Sequence, residues 1–199
     1  MIKIERNNIY KIDDYSFKNF IALSDEEKIM VCDWRNDERV RKWMSNNSII
    51  KFEDHLKFLE NLKYQDSIYY WIVYKGEKPF GVVNLRNINF KTGFAESGYY
   101  INPNFLNSGI GLSFNFHYRY FYYNVLGLEI IIGYVLKANI NACLIFSFFG
   151  GKNEVNKEIN GIKYIIMYAS KKDFNNLSHK TLLRDFVKYS KISKFRIFI

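Results

Sequence analysis

At 199 residues, 48% of them hydrophobic and 19% aromatic, the chain can build one packed domain and does not have the composition of a disordered segment. Its 29 Lys and Arg against 20 Asp and Glu leave a net charge of +9, which favours anionic partners. Much of that excess follows Lys171, so charge alone does not imply a nucleic-acid groove, and no nucleic-acid partner is expected. No stretch reaches ~20 uninterrupted apolar residues, which excludes a transmembrane helix. The start, MIKIERNNIYKID, lacks a basic region followed by an apolar run, so no signal peptide is expected. Cys32 and Cys143 stand far apart in apolar segments and read as buried, reduced thiols of a cytoplasmic protein. His55, His117 and His179 are scattered and there is no cysteine pair, so no metal is expected.

In chain order, MIKIERNNIYKIDDYSF reads as an edge strand and turn. A helix starts at Asp25, with Ser24 as its cap and Glu27 at the capping-box spacing, and runs through CDWRN. A second helix follows in KFEDHLKFLENLKY, where Phe52, Leu56, Leu59 and Leu62 form the apolar stripe and His55 falls off it. YYWIVYK and KPFGVVNLRNINF, split by GEK, read as a β-hairpin, and GFAESGYYINP as a further strand ended by Pro103. An aromatic helix from about Gly109 to Tyr123 precedes LEIIIGYVLK, an all-apolar strand suited to the middle of a sheet. NINACLIFSFF has short-helix character and GIKYIIMYASK is a closing strand. The order predicts an α+β (mixed α/β) fold, not the β-α-β repeat of a dinucleotide-binding domain.

The segment NSGIGL, Asn107 to Leu112, joins a strand to a helix. It is neither GxGxxG nor a Walker A loop. Glycines there let backbone approach a ligand, and a helix N-terminus offers free N–H groups and positive dipole to an anion. Taken alone, the same residues suit a plain strand-to-helix turn.

Read together with its neighbours, the segment points further. Ile2 to Phe174 resembles the Gcn5-related N-acetyltransferase (GNAT) superfamily. GYYINPNFLNSGIGL is similar to its acetyl-CoA motif, Gln/Arg-x-x-Gly-x-Gly/Ala, with Asn107 read as the first position and Gly109 and Gly111 as the glycines. KANINACLIF is similar to the N-x-x-A-x-x-x-Tyr helix that follows, with Asn139 and Ala142 in register and Phe146 at the tyrosine. DWRNDERVRKWM and FEDHLKFLENLK resemble the members that N-acetylate a UDP-linked 4-amino-4,6-dideoxy sugar in pseudaminic acid biosynthesis for flagellin modification.

The resemblance implies a central, mostly antiparallel twisted sheet whose middle strands splay and are flanked by helices. Residues 1–174 would form that domain and 175–199 a basic C-terminal extension. Acetyl-CoA would lie in the splay between AESGYYIN and LEIIIGYV. Backbone of Tyr99, Tyr100 and Ile101 would bond the pantetheine arm, and the N–H groups of Ser108, Gly109, Ile110, Gly111 and Leu112 the pyrophosphate. Asn139 would contact the cofactor from the opposite side. Glu96 is the candidate base, on the strand face shared with Gly98 and Tyr100. Asn84 would hold a water near the reacting amine. For a nucleotide-sugar acceptor the resemblance points to Arg35, Trp43 and Met44, with His55, Arg86 and Asn87 as weaker candidates; at a helix end, residues such as Trp43 and Met44 are more often core than pocket.

Phe146 has no hydroxyl to protonate a leaving thiolate, and GGKNEVNKEINGIKY looks shorter than in relatives. These departures keep a catalytically silent CoA-binding module in view. A ribosomal-protein N-terminal acetyltransferase is the rival within the superfamily, sharing the WRND opening and the AE-x-G-Y strand. The tail, with Leu182, Leu183, Phe186 and Val187 between Lys180, Arg184 and Lys188, fits a helix packed on the domain; a homodimer contact or a membrane-surface contact through it stays open.

Overall fold

The computed structural model describes residues 2–195. Chain order gives the hairpin β1 (Ile9–Ile12) and β2 (Tyr15–Asn19), then α1 (Asp25–Asn36), the single turn α2 (Glu38–Arg41) and α3 (Phe52–Leu62). A meander follows: β3 (Tyr69–Lys75), β4 (Lys78–Asn89) and β5 (Phe94–Ile101). Next come α4 (Gly111–Tyr120), which ends in a π-helical turn Phe121–Val125, then β6 (Ile130–Leu136) and α5 (Ile140–Phe148). β7 (Lys152–Ile159), β8 (Ile162–Ser170), α6 (Lys171–Phe174) and α7 (Leu182–Ile192) complete it.

The strands form one eight-stranded sheet in the order β1-β2-β3-β4-β5-β6-β8-β7, antiparallel except between β5 and β6. The two faces carry different cores. Phe17, Trp71, Val83, Leu85 and Ala95 point to α4 and α5, meeting Phe114, Phe121, Tyr122 and Leu144. Ile72 and Val82 point the other way, to Val31 and Trp34 of α1 and Leu59 and Leu62 of α3. Strand alternation does this sorting, since successive residues face opposite sides.

The expected mixed α/β architecture holds, and so does the start of α1. Ser24 Oγ accepts from the Glu27 N–H while the Glu27 carboxylate accepts from the Ser24 N–H, both halves of the capping box. Two readings need correction. The buried stripe of α3 is His55, Leu59 and Leu62; Phe52 and Leu56 are 37% and 39% exposed. Periodicity weighted by hydrophobicity chose the wrong starting residue, because the helix turns its one histidine inward toward α1. The segment before β8, to which the sequence assigned no element, is the edge strand β7, whose Asn156, Lys157 and Glu158 are exposed. An edge strand with a polar composition carries no alternation to read.

The C-terminal residues pack on the domain: Leu182 and Phe195 are buried, and Phe186 and Tyr189 stack edgewise and tilted on Phe148. Residues 196–199 of the expected extension lie outside the described residues. No helix among the described residues is long and apolar enough to cross a membrane.

Candidate functional site

The two middle strands run side by side for three residue pairs only: Phe94 with Ile130, Ala95 with Ile131 and Glu96 with Ile132. Beyond Glu96, β5 pairs with β4 alone, from Ser97 to Ile101. Beyond Ile132, β6 pairs with β8 alone, from Gly133 to Leu136. The sheet therefore opens into a wedge with Glu96 at its apex, and the inner edges of both strands present backbone groups that neither strand satisfies for the other. An extended amide-containing chain is the ligand such edges suit.

The glycine segment lies at the far end of β5. Asn102 caps a short turn at Pro103–Phe105, and Asn107 and Gly109 then take positive φ, 62° and 77°, which reverses the chain into α4. A side chain at Gly109 would meet open space but the wrong φ. Among the described residues no side chain caps α4, which leaves N–H groups of its first turn to meet an anion. Ser108 is an exception to the expected set, since its N–H turns back to the Phe105 carbonyl and its hydroxyl donates to the same oxygen at 2.6 Å. Asn107 stands two residues before Gly109, one fewer than the motif spacing, so the motif's first position falls on Leu106 and Asn107 serves the turn.

Glu96, Gly98 and Tyr100 share the sheet face that meets α1 and α3. Their cross-strand neighbours there are Arg86, Asn84 and Val82. Asn84 lies over Gly98 so closely that a Cβ at 98 would stand 2.6 Å from its Oδ1. Tyr70 is opposite Asn84 on β3, and Tyr100 donates its hydroxyl to the Val31 carbonyl at 3.4 Å. Burial raises the pKa of both phenols, with Arg35 opposing the shift in each case. Arg35, projecting from α1, donates from Nη2 to the Asn46 carbonyl, while its buried Nη1 has no partner among the described residues. Burial lowers its pKa from the usual arginine range. Glu96, Asn84 and Tyr100 thus share one face of the sheet, and Arg35 of α1 stands near Tyr70 and Tyr100 on that face.

The other expected acceptor residues spread out. Arg35, Asn36 and Arg41 all bind carbonyls of the loop after α2, at Asn46, Ile50 and Asn47. That loop carries Met44, half-buried, and Trp43, 40% exposed beneath the Lys42 ammonium. Arg86 is exposed opposite Glu96, and Asn87 is exposed at the bulge of β4 with φ 51°. His55 is buried between α3 and α1 beside the Lys28 carbonyl, and burial lowers its pKa. Asn139 caps α5, its Oδ1 accepting from the Ala142 N–H at 3.1 Å.

On the opposite face, beneath the wedge, sequence reading missed a buried polar cluster. Asn115 donates to the Gly111 carbonyl at 2.9 Å and accepts from Tyr118 Oη at 3.0 Å and Arg119 Nη1 at 2.6 Å. Arg119 is fully buried, with its guanidinium against the rings of Tyr118, Phe146 and Phe149. Its Nε and Nη2 have no partner among the described residues. Phe146 fills the hollow left by Gly133 of β6, where a Cβ would stand 2.4 Å from its ring, so both residues are fitted to one another. The available signal was spacing: Asn115, Tyr118 and Arg119 share one helical face with the apolar Phe114.

Comparison with known proteins agrees with this geometry. The model of the acetyltransferase (GNAT) domain family matches residues 17–151. The acetyltransferase PseH of Campylobacter jejuni serotype O:23/36 is 32% identical over 130 residues, covering 65% of this chain and 79% of the relative; that of serotype O:2 is 29% identical over 129 residues. The crystal structure of Campylobacter jejuni N-acetyltransferase PseH in complex with acetyl coenzyme A superposes with a TM-score of 0.62 at 25% identity, over 79% of this chain and 99% of that one. Spermidine N-acetyltransferase from Vibrio cholerae, in complex with CoA and spermine, shares the fold with a TM-score of 0.71 at 17% identity, over 83% of this chain. With that family model matching residues 17–151, more than half of its length, the chain belongs to the acetyltransferase (GNAT) family of N-acetyltransferases.

Proposed function

We propose that the chain transfers the acetyl group of acetyl-CoA to the amine of a UDP-linked amino-dideoxy sugar, the N-acetylation step of pseudaminic acid biosynthesis. The observation that carries the reading is the position of Glu96: it stands at the apex of the wedge, on the face shared with Asn84, Tyr100 and Arg35. Acetyl-CoA supplies a thioester whose carbonyl an amine attacks, giving a tetrahedral oxyanion before the thiol leaves.

The chain's own groups divide the work. Backbone of Tyr99, Tyr100 and Ile101 lines the pantetheine path. The free N–H groups from Gly109 to Leu112 take the pyrophosphate at the positive end of α4. The N–H near Tyr100 stabilises the oxyanion, an effect typically worth about 3 kcal/mol. Glu96 accepts the amine proton through a water held by Asn84. Arg35, with Nη1 unspent, faces the nucleotide, and Trp43 and Met44 cover it from the loop that Arg35 holds. Phe146 donates no proton, so water protonates the departing thiolate.

Thiol release from acetyl-CoA tests the assignment with three acceptors: the UDP-4-amino-4,6-dideoxy sugar, a peptide carrying a ribosomal-protein N-terminus, and spermidine. Saturable turnover with the nucleotide sugar is expected, and Glu96→Gln lowers its kcat by about 10²-fold or more. Faster turnover with the peptide would replace the sugar by a protein acceptor. CoA binding without turnover on any amine would sink the enzymatic reading.

A further inference from the structure

Two of the three histidines that are scattered in sequence meet in space. Asp13 lies in the β1–β2 turn, His117 on α4, and His179 in the turn before α7. One potential ligand atom from each falls within 4.8 Å of the others. Asp13 and His179 line a groove at the β1 edge of the sheet, four strands from β5, together with Lys11, Phe116 and Tyr120, and His117 is buried beside them.

His117 fixes the chemistry. It is 2% exposed, stacked on Tyr15 at 4.2 Å, and its Nδ1 lies 2.7 Å from the Ser113 carbonyl. A carbonyl only accepts, so Nδ1 carries the proton. Nε2 is then left to face the Asp13 carboxylate at 3.1 Å. Two lone pairs at that distance repel, and a metal ion bound by both relieves the repulsion. A backbone carbonyl holding Nδ1–H while Nε2 points outward is the arrangement that orients metal-bound histidines. His179 supplies what a simple ion pair would not need. Its ring stacks on Phe116 at 4.9 Å and stands perpendicular to His117 at 4.9 Å, with the nitrogen ligands of both rings in reach of Asp13.

We propose that Asp13, His117 and His179 bind one divalent transition-metal ion, of which zinc fits best. Two imidazoles and a carboxylate suit zinc; magnesium and calcium want oxygen ligands alone. A tetrahedral ion about 2.0–2.1 Å from each ligand needs ligand atoms a little over 3 Å apart. Asp13 and His117 already meet that spacing, and His179, exposed in its turn, closes the remainder by rotation. Water fills the fourth position from the groove. The ion ties the β1–β2 turn and the C-terminal segment to α4, the helix whose first turn faces the wedge. Its role is to fasten the C-terminal segment, not to act on the acetyl group.

The test uses the full chain, freed of any histidine tag and stripped with chelator, titrated with zinc against a chromogenic zinc chelator. About one equivalent binds at micromolar zinc or below, and zinc, not magnesium, raises the Tm. Cobalt gives the visible absorption of a tetrahedral site. His179→Ala and Asp13→Ala, both at exposed positions, each weaken zinc binding by about tenfold or more, remove the zinc-dependent rise in Tm, and leave the metal-free Tm and acetyl transfer as in the parent. Zinc binding unchanged in both variants would place the ion elsewhere and overturn the proposal. So would absence of any binding at ~100 μM zinc, which would leave His117 and Asp13 as a hydrogen-bonded pair.

Discussion

A methyl group at position 98 cannot enter the structure without moving Asn84. Gly98 has an ordinary strand φ, so alanine suits its backbone, yet the new Cβ would stand 2.6 Å from Asn84 Oδ1. The obstacle is the tip of a side chain, which swings aside at little cost to the fold. Gly98→Ala is therefore expected to keep its stability within about 1 kcal/mol of the parent. It is expected to lower kcat/KM by about tenfold or more, because a displaced Asn84 no longer holds water beside Glu96. Thermal unfolding and thiol release measured together decide it. An unchanged rate would remove Asn84 from the mechanism. At this scale the sequence was informative wherever backbone geometry demands a residue type, as at Gly109 with its φ of 77°. It was silent where a charge is buried: Arg119 reads as surface in any composition-based view, and only the fold shows it enclosed by Tyr118, Phe146 and Phe149.

The packing of α1 on α3 makes one histidine an acid-sensitive joint. His55 is buried between the two helices with Nε2 unpartnered among the described residues. Burial lowers its pKa, and the Lys28 carbonyl only partly opposes this. In the unfolded chain His55 protonates as pH falls through about 6.5. In the fold it resists until lower pH, so below about 6.5 the unfolded state binds more protons and stability falls with pH. Above that window the contribution is complete. His55→Leu joins the stripe of Leu59 and Leu62 and removes the titration. The parent is expected to lose more Tm between pH 7.5 and 5.5 than the variant, with the curves converging at neutral pH; parallel curves would contradict the assignment. Glu27 and Asp173, whose pKa values hydrogen bonds and ion pairs lower, contribute losses only at more acidic pH. The same helix shows why some elements were legible and others not. The start of α1 was written in Ser24 and Glu27, and β3 to β6 in their apolar runs. The phase of α3 was hidden because its innermost residue is polar, and β7 because an edge strand buries almost nothing.

Taken as one body, the molecule extends the family domain at its C-terminus. The family match ends at residue 151, yet β8 completes the pairing of β6, and α7 covers α5 beyond it. α7 turns Leu182, Phe186 and Tyr189 inward and leaves Leu183, Val187 and Ile192 exposed among Arg184, Lys188 and Lys191. Arg184, Lys188 and Lys191 thus stand on the outer face of a packed helix. Removing residues 175–199 would uncover Phe148 and take Leu182 and Phe195 out of the core. Full burial of such side chains contributes about 1.5–3 kcal/mol each, so the truncated chain is expected to be insoluble or to melt far below the parent. Phe186→Ala is the gentler test. The residue is half-buried, its ring 5.2 Å from that of Phe148. About 1–3 kcal/mol should be lost, a fall of several degrees in Tm at roughly 2–4 °C per kcal/mol for a chain of this size. KM for acetyl-CoA should stay unchanged, because the ring packs on Phe148 of α5. A raised KM at unchanged Tm would instead make the C-terminal helix part of the cofactor cleft.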